Sequence, residues 1–321
     1  MKSYTSNRLK SGAKPLATSP PTLGHAVRRW MRTAGINEGL LFILPALLVY
    51  CGVVVYPLLT MFYLGAFSWD GLSPSKLYVG MANFQQLLTD PIFYVTLRNS
   101  VIWIVFGGGL GLTVSLGLAL LVNQRLRGRT VFRTIYFLPG TVSVIVIGQV
   151  WGWIYQGDYG VLNNWLGAVG LEGLKQSWLG DPGIAIYAAA IVALWAGVGF
   201  PMMVYLAGLQ TIPHEIPEAA QVDGATAWQR FRSVTFPLLL PQTVTLTILT
   251  VIGTLREFTI IYVLTEGGPA HQTELPSVFV FDQAFNFGQQ GYASAASAVI
   301  FLISLAITLL QLRLYRWYQG Y

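Results

Sequence analysis

Charge is what this sequence has least of. Lys and Arg number 19 and Asp and Glu 13, together 10% of 321 residues, where a soluble globular chain carries about 25%. That scarcity excludes an ordinary water-solvated surface over most of the chain. A single cysteine, Cys51, excludes an internal disulfide and says nothing of the redox compartment. The three histidines, His25, His214 and His271, lie far apart, so they form no metal set, and "HEIPE" at His214 lacks the second histidine of a zinc-protease helix. No serine has an evident base, which argues against an intramembrane hydrolase. There is no GxxxxGK(S/T) stretch either. The nearest look-alike, "GGGLGLTVS" from Gly107 to Ser115, lacks the lysine that reaches the β and γ phosphates, so the chain itself is expected not to bind ATP.

Apolar residues are what is abundant, at 54%. Six stretches, 39–64, 101–122, 134–155, 184–209, 238–265 and 293–312, exceed the roughly 18 apolar residues that a bilayer crossing needs. A buried soluble core explains one or two such runs, but not six separated by polar loops. The composition therefore predicts an all-α polytopic membrane protein with six transmembrane helices. Residues 1–38 hold Lys, Arg, Ser, Pro and Gly with little periodicity, too long and too polar a lead for a cleaved signal peptide, and read as a disordered cytoplasmic tail.

With that tail inside, the cytoplasmic segments carry fifteen of the nineteen Lys and Arg: seven in the tail, Arg125, Arg127, Arg129 and Arg133, Arg230 and Arg232, and Arg313 and Arg316. Lys76, Arg98 and Lys175 fall outside and Arg256 within a span. The positive-inside bias thus places both termini in the cytoplasm, and the net charge of +6 reflects topology rather than nucleic-acid binding. Segments 77–93, 156–182 and 266–291 then face outward, and 123–133 and 211–236 inward. Pro45, Pro57 and Pro201 each remove a backbone donor inside a span and predict kinks, whereas Pro139 lies near the start of its run and is less informative. Gly107, Gly108, Gly109, Gly111 and Gly117 give the second span a small face for close helix approach.

The segment "GLQTIPHEIPEAAQVDGATAWQRFRSVTFPLLLP", 208–241, is polar where water begins. Pro213 and Pro217 end the preceding span and suit the first turn of a new helix, where Glu215 and Glu218 favour the positive end of its dipole. Ala219 and Ala220 keep the surface low enough for another protein's groove. Gly224 permits a sharp reversal. A second helix over 226–235 carries Trp228, Phe231 and Val234 on one face, expected to pack it back on the membrane body, with Pro237 stopping it. Two readings stay open on physical grounds: a docking elbow for a cytoplasmic partner, or an amphipathic loop resting on lipid.

These residues also carry a resemblance. Glu218-Ala219-Ala220, Asp223-Gly224-Ala225, Phe236-Pro237 and Pro241 resemble the "EAA…G…LP" signature of membrane subunits of bacterial ABC importers. "YVLTEGGPAHQT", 262–273, and "GYASAAS", 291–297, are similar to the pattern of its sugar-importer branch, the maltose and glycerol-phosphate type permease subunit. The similar parts cover about 95–321. The resemblance implies a MetI-like permease fold in the bacterial inner membrane: a tail (1–38), a peripheral first helix with its outer loop (39–94), and a five-helix core (95–321) that packs with a second permease, in this branch usually a different chain. It implies a coupling role for Glu218, Ala219, Ala220, Asp223 and Gly224, seated in ATP-hydrolysing subunits. It further implies that ATP and Mg are bound by two such partners and not here, and that solute arrives from an extracytoplasmic binding protein docking near 266–291. The chain is then not an enzyme.

Ionisable residues inside spans are costly, so Arg256 and Glu257 stand out. At about 1.5 Å per residue from Leu238, Arg256 lies roughly 27 Å along a core about 30 Å thick, where it either serves the solute, snorkels to outer-leaflet water or pairs with a neighbour. Thr250, Thr254 and Glu257, spaced by four and three, align as a polar stripe on one helix face, suited to sugar hydroxyls or to a neighbouring helix. The same resemblance matches these positions, and Gly197 and Phe200 after Trp195, to the sugar-lining positions of the maltose-type subunit. Glu257 stands where the family usually has an amide, which favours a neutral polyhydroxy solute over a phosphate-bearing one. Two rivals remain at this stage. A secondary carrier would more often show broken helices and several membrane carboxylates, and a structural scaffold would leave both motifs unexplained.

Overall fold

A computed structural model describes the backbone of residues 38–124 and 128–319 and the side chains of 42–124 and 128–315. The expected tail, apart from Glu38, lies outside the described residues, as do Arg125, Arg127 and the side chain of Arg316. Helix dominates. Among the described residues one sheet occurs, the two-residue strands Phe67–Ser68 and Leu77–Tyr78 paired antiparallel.

The chain divides into two units, Met1–Leu59 and Thr60–Tyr321. The first contributes the helix Glu38–Tyr50, a widened π-type turn Cys51–Val55 and the start of the helix Tyr56–Leu64. Phe42, Ile43, Leu48, Val49 and Val53 are all exposed, the surface that a helix solvated by hydrocarbon presents. The expected kinks at Pro45 and Pro57 are mild enough for Phe42–Leu64 to run as one candidate span.

In the second unit two more single helices are long and apolar enough to cross a membrane, Pro91–Asn123 and Gln290–Tyr315. Pro91–Asn123 begins well before its apolar run because Asp90 caps it, accepting the N–H groups of Ile92 at 2.8 Å and Phe93 at 3.4 Å, with Pro91 in the first turn. Three further spans are bent pairs: Arg129–Thr141 with Val144–Ile154 by 96°, Ala185–Gly197 with Gly199–Thr211 by 49°, and Ala227–Leu238 with Leu240–Arg256 by 66°. Counted this way the spans among the described residues number up to six, as expected. The bend at Val198 follows from Pro201, whose ring withholds the N–H that the Gly197 carbonyl needs. Ser115, fully buried on the second span, donates to the Val198 carbonyl at 2.9 Å and ties down that bend.

Three sequence expectations change. Pro139, less informative in the sequence than the other span prolines, sits in the sharpest bend: Leu138–Thr141 is a tight 3₁₀ turn, and Val142 and Ser143 are non-helical before Val144–Ile154. The fifth apolar run is not one helix, since Leu240–Arg256 ends at Glu257 (ψ 121°) and a separate helix Thr259–Thr265 follows. Pro237 does not stop the elbow's second helix either. The π-type turn Phe231–Thr235 precedes Phe236–Leu238, and the direction changes at Leu239.

Segment 266–291 is partly core. Its helix Pro276–Phe281 buries Leu275, Val278 and Phe279, with Leu275 and Val278 packed on Trp103, Ile186 and Ile261. The small residues of "GYASAAS" are spacers against a second backbone. A Cβ on Gly291 would lie 1.9 Å from the Phe67 carbonyl oxygen, and one on Gly65 3.2 Å from Ala295 Cα. Gly108 of the second span plays the same part, with Thr250 Cγ2 2.4 Å from where a Cβ would stand, whereas Gly109 and Gly117 face open space or their own helix.

Candidate solute site and helical elbow

Three chain breaks meet at one cavity of about 570 Å³. From the third span come Phe137, Pro139 and Gly140, from the fourth Gly197 and Phe200, and from the fifth Arg256, Glu257, Phe258 and Thr259. The third and fourth spans cross there backbone to backbone. A Cβ on Gly199 would stand 2.5 Å from the Tyr136 carbonyl oxygen and 2.7 Å from Phe137 Cα, and one on Gly140 would stand 3.2 Å from the Ala196 carbonyl oxygen. On the fifth span the Glu257 Oε1 accepts the Ile260 N–H at 3.2 Å, so its carboxylate caps the helix that restarts beyond the break. Interrupted helices leave peptide groups and side chains turned toward a water-accessible space, the way membrane transporters build midplane sites.

The polar stripe read from the sequence divides in two. Thr250 and Thr254 lie on Leu240–Arg256 and line a second cavity of about 180 Å³ with Gly108, Ser115 and Gly197. Thr254 is buried and its hydroxyl donates to the Thr250 carbonyl at 2.9 Å. Glu257, turned out of the helix at its break, faces the larger cavity instead. Gly197 lines both; Phe200, 58% exposed, and Arg256 line the larger one. Arg256 makes no hydrogen bond or ion pair among the described residues, Glu257 included. Phe137, Pro139, Gly140 and Phe258 were missed in the sequence. The Pro139-Gly140 dipeptide, a turn signal inside an apolar run, is the mark that could have found this wall.

Beyond the fifth-span helix the hairpin of "YVLTEGGPAHQT" closes on itself. Glu266, Gly267, Ala270 and His271 all have positive φ, and the Thr273 hydroxyl donates to the Gly268 carbonyl at 2.6 Å and shares a hydrogen bond with Thr265 at 2.7 Å. Asn99, buried on Pro91–Asn123 and unremarked in the sequence, donates to the carbonyls of His271 at 2.9 Å and Glu274 at 3.0 Å. Burial pushes the Glu274 carboxyl up, opposed by its hydrogen bond with the His271 ring. Asn99→Leu, which strands two carbonyls, is expected to destabilise this clasp by about 2–3 kcal/mol. Faster proteolysis at 266–273 and a lowered Tm measure it.

On the other side the elbow is formed by Glu215–Val222 and the helix that starts at Ala227. Its reversal is a Schellman motif: the Ala225 N–H donates to the Ala220 carbonyl at 3.0 Å, the Gly224 N–H to Gln221 at 3.1 Å, and Gly224 has φ +82°. Thr226 and Gln229 form a capping box, and the Arg230 guanidinium donates to the Gln221 side chain, bracing one helix on the other. Glu218, Ala219, Asp223 and Gly224 are exposed and Ala220 half-buried. The expected packing of the second helix on the membrane body is corrected at Trp228. It is 66% exposed, in tilted ring contact with Phe231 at 5.5 Å, because it precedes Leu239, where the chain first returns to the core.

A mostly helical body with apolar, interrupted spans and an exposed helical elbow suits a membrane permease. A model of the family described as "Binding-protein-dependent transport system inner membrane component" matches residues 109–319, and the chain belongs to that family. It is 35% identical over 279 residues to the trehalose/maltose transport system permease protein MalF of Thermococcus litoralis, covering 87% of this chain and 94% of that protein. It is 33% identical over 293 residues to the sulfoquinovosyl glycerol transport system permease protein SmoG of Agrobacterium fabrum, covering 90% and 94%. A chain of a bacterial alginate ABC transporter, crystallised with its oligosaccharide-bound periplasmic protein, superposes with a TM-score of 0.75 at 23% identity over 90% of this chain and 95% of that one, and shows the shared fold. The chain is thus a multi-pass permease subunit of an ABC transporter and not an enzyme. Broken helices, taken above as a mark of secondary carriers, do not discriminate between the two classes.

Proposed function

We propose that this subunit carries a sugar or related polyhydroxy solute inward by alternating access, driven by ATP hydrolysis in two partner subunits. Convergence of three helix breaks on one cavity is the observation that supports a solute site there. Phe200 offers an aromatic face to a sugar ring, and the peptide groups of the breaks offer hydrogen bonds to hydroxyls. Names of the relatives point to the same class of cargo.

The face of Glu218, Ala219, Asp223 and Gly224, with the half-buried Ala220 beside them, is the coupling element, low enough to enter a groove and rigid enough to transmit its movement. Both termini and this elbow lie in the cytoplasm. A second permease chain completes the pathway, ATP and Mg are held by the motor subunits, and an extracytoplasmic binding protein delivers the solute. Reconstituted with those partners, the chain is expected to support uptake that vanadate abolishes and an uncoupler at constant ATP leaves intact. Collapse by the uncoupler with indifference to vanadate contradicts the reading.

A further inference from the structure

Among the described residues Arg256 is a charge without a counterpart. Its side chain borders two cavities, the one of about 570 Å³ and a neighbour of about 330 Å³ shared with Ser277, Ser297 and Ser304. Among the described residues lining either, Glu257 is the only carboxylate. That carboxylate accepts the Ile260 N–H and makes no ion pair with Arg256. Two of the serines donate their hydroxyls to backbone, Ser277 to the Leu255 carbonyl and Ser297 to that of Ala293, each at 2.9 Å. An ionised arginine within an apolar span is costly unless it meets water or an anion, and Arg256 is exposed at the cavity, open to an incoming oxyanion. A guanidinium offers a planar fork that fits two oxygens of a carboxylate, sulfonate or phosphate.

Resting on the reading of the larger cavity as the solute site, the geometry points to an acidic sugar as cargo, its oxyanion held by Arg256. The neutral solute favoured from the sequence rested on Glu257; Arg256, with no ion pair among the described residues, adds a cationic fork to the same cavity.

The complete importer with its binding protein, in proteoliposomes, tests this with two matched pairs of probes: digalacturonate against neutral galactobiose, and hexose 6-phosphate against hexose. Wild type is expected to prefer an acidic member. Arg256→Gln is expected to lower the acid-to-neutral uptake ratio by about tenfold or more, and Arg256→Lys to recover most of it. Uptake confined to the neutral probes, or an unchanged ratio in Arg256→Gln, overturns the inference. So does loss of the second permease chain from purified Arg256→Gln complex, which assigns the charge to an interchain ion pair. Refusal of every probe while binding-protein-stimulated ATP hydrolysis persists overturns the acidic-sugar inference alone; absence of that stimulation removes the importer reading too.

Discussion

Ala220→Trp is expected to stop uptake, by about 100-fold or more, while the permease remains in the membrane at normal level. Ala220 lies in the last turn of Glu215–Val222, its carbonyl taken up by the Gly224 reversal, and its methyl group is half-buried beside an otherwise exposed acidic face. An indole there stands in front of the surface that a groove must close on. Interface positions of this kind carry about 2–4 kcal/mol, and about 3 kcal/mol is a 100-fold loss of docking. Gly224→Asp acts by another route to the same end. Nothing lies within 4 Å of a Cβ at this position, so no clash removes the fold, but φ of +82° costs a non-glycine residue about 1–2 kcal/mol and adds a charge at the elbow's tip. Uptake and motor co-purification should fall together in both variants, with membrane content measured by immunoblot. Normal uptake in both contradicts a docking role.

Gly199→Leu is expected to remove the folded permease rather than to slow it. The nearest atoms to a Cβ at Gly199 are the Tyr136 carbonyl oxygen at 2.5 Å and Phe137 Cα at 2.7 Å. Both are backbone, so neither can swing aside as the end of a side chain would. Overpacking typically costs about 1–3 kcal/mol even when neighbours relax; here the third and fourth spans must separate at the cavity wall. Purified variant complex should show a lower Tm and little monodisperse material by size-exclusion chromatography. Gly253→Leu, on the neighbouring span where a Cβ meets nothing within 4 Å, serves as the contrast and should remain folded.

The spans were legible because hydrocarbon solvation leaves its mark on every residue of a run, as the exposed face of Phe42–Leu64 illustrates. The reversal at Gly224 was legible for a related reason: left-handed backbone is a local property that glycine announces. What hydropathy does not encode is interruption. A helix break amid apolar residues keeps the same mean hydropathy, so the run 238–265 gave no warning that Glu257 leaves the helix and that the Thr250, Thr254, Glu257 stripe divides between two cavities. The wall at Pro139 was missed because a proline near the edge of a predicted run costs little if the run starts there, and Arg129–Thr141 starts earlier. Asn99 was missed because its partners, His271 and Glu274, lie far along the chain, and no local pattern reports a contact of that separation.

Accessibility of Phe200 across the transport cycle tests the account most directly. Cys51 is the lone cysteine, so Cys51→Ser supplies a thiol-free background for Phe200→Cys on the rim of the three-break cavity. In right-side-out vesicles bearing the whole importer, a membrane-impermeant cationic thiol reagent added outside is expected to label that cysteine about tenfold faster once vanadate traps the motor subunits. An outside labelling rate that ignores the nucleotide state, in vesicles that still accumulate solute, would mean that the cavity does not change sides and contradicts the account.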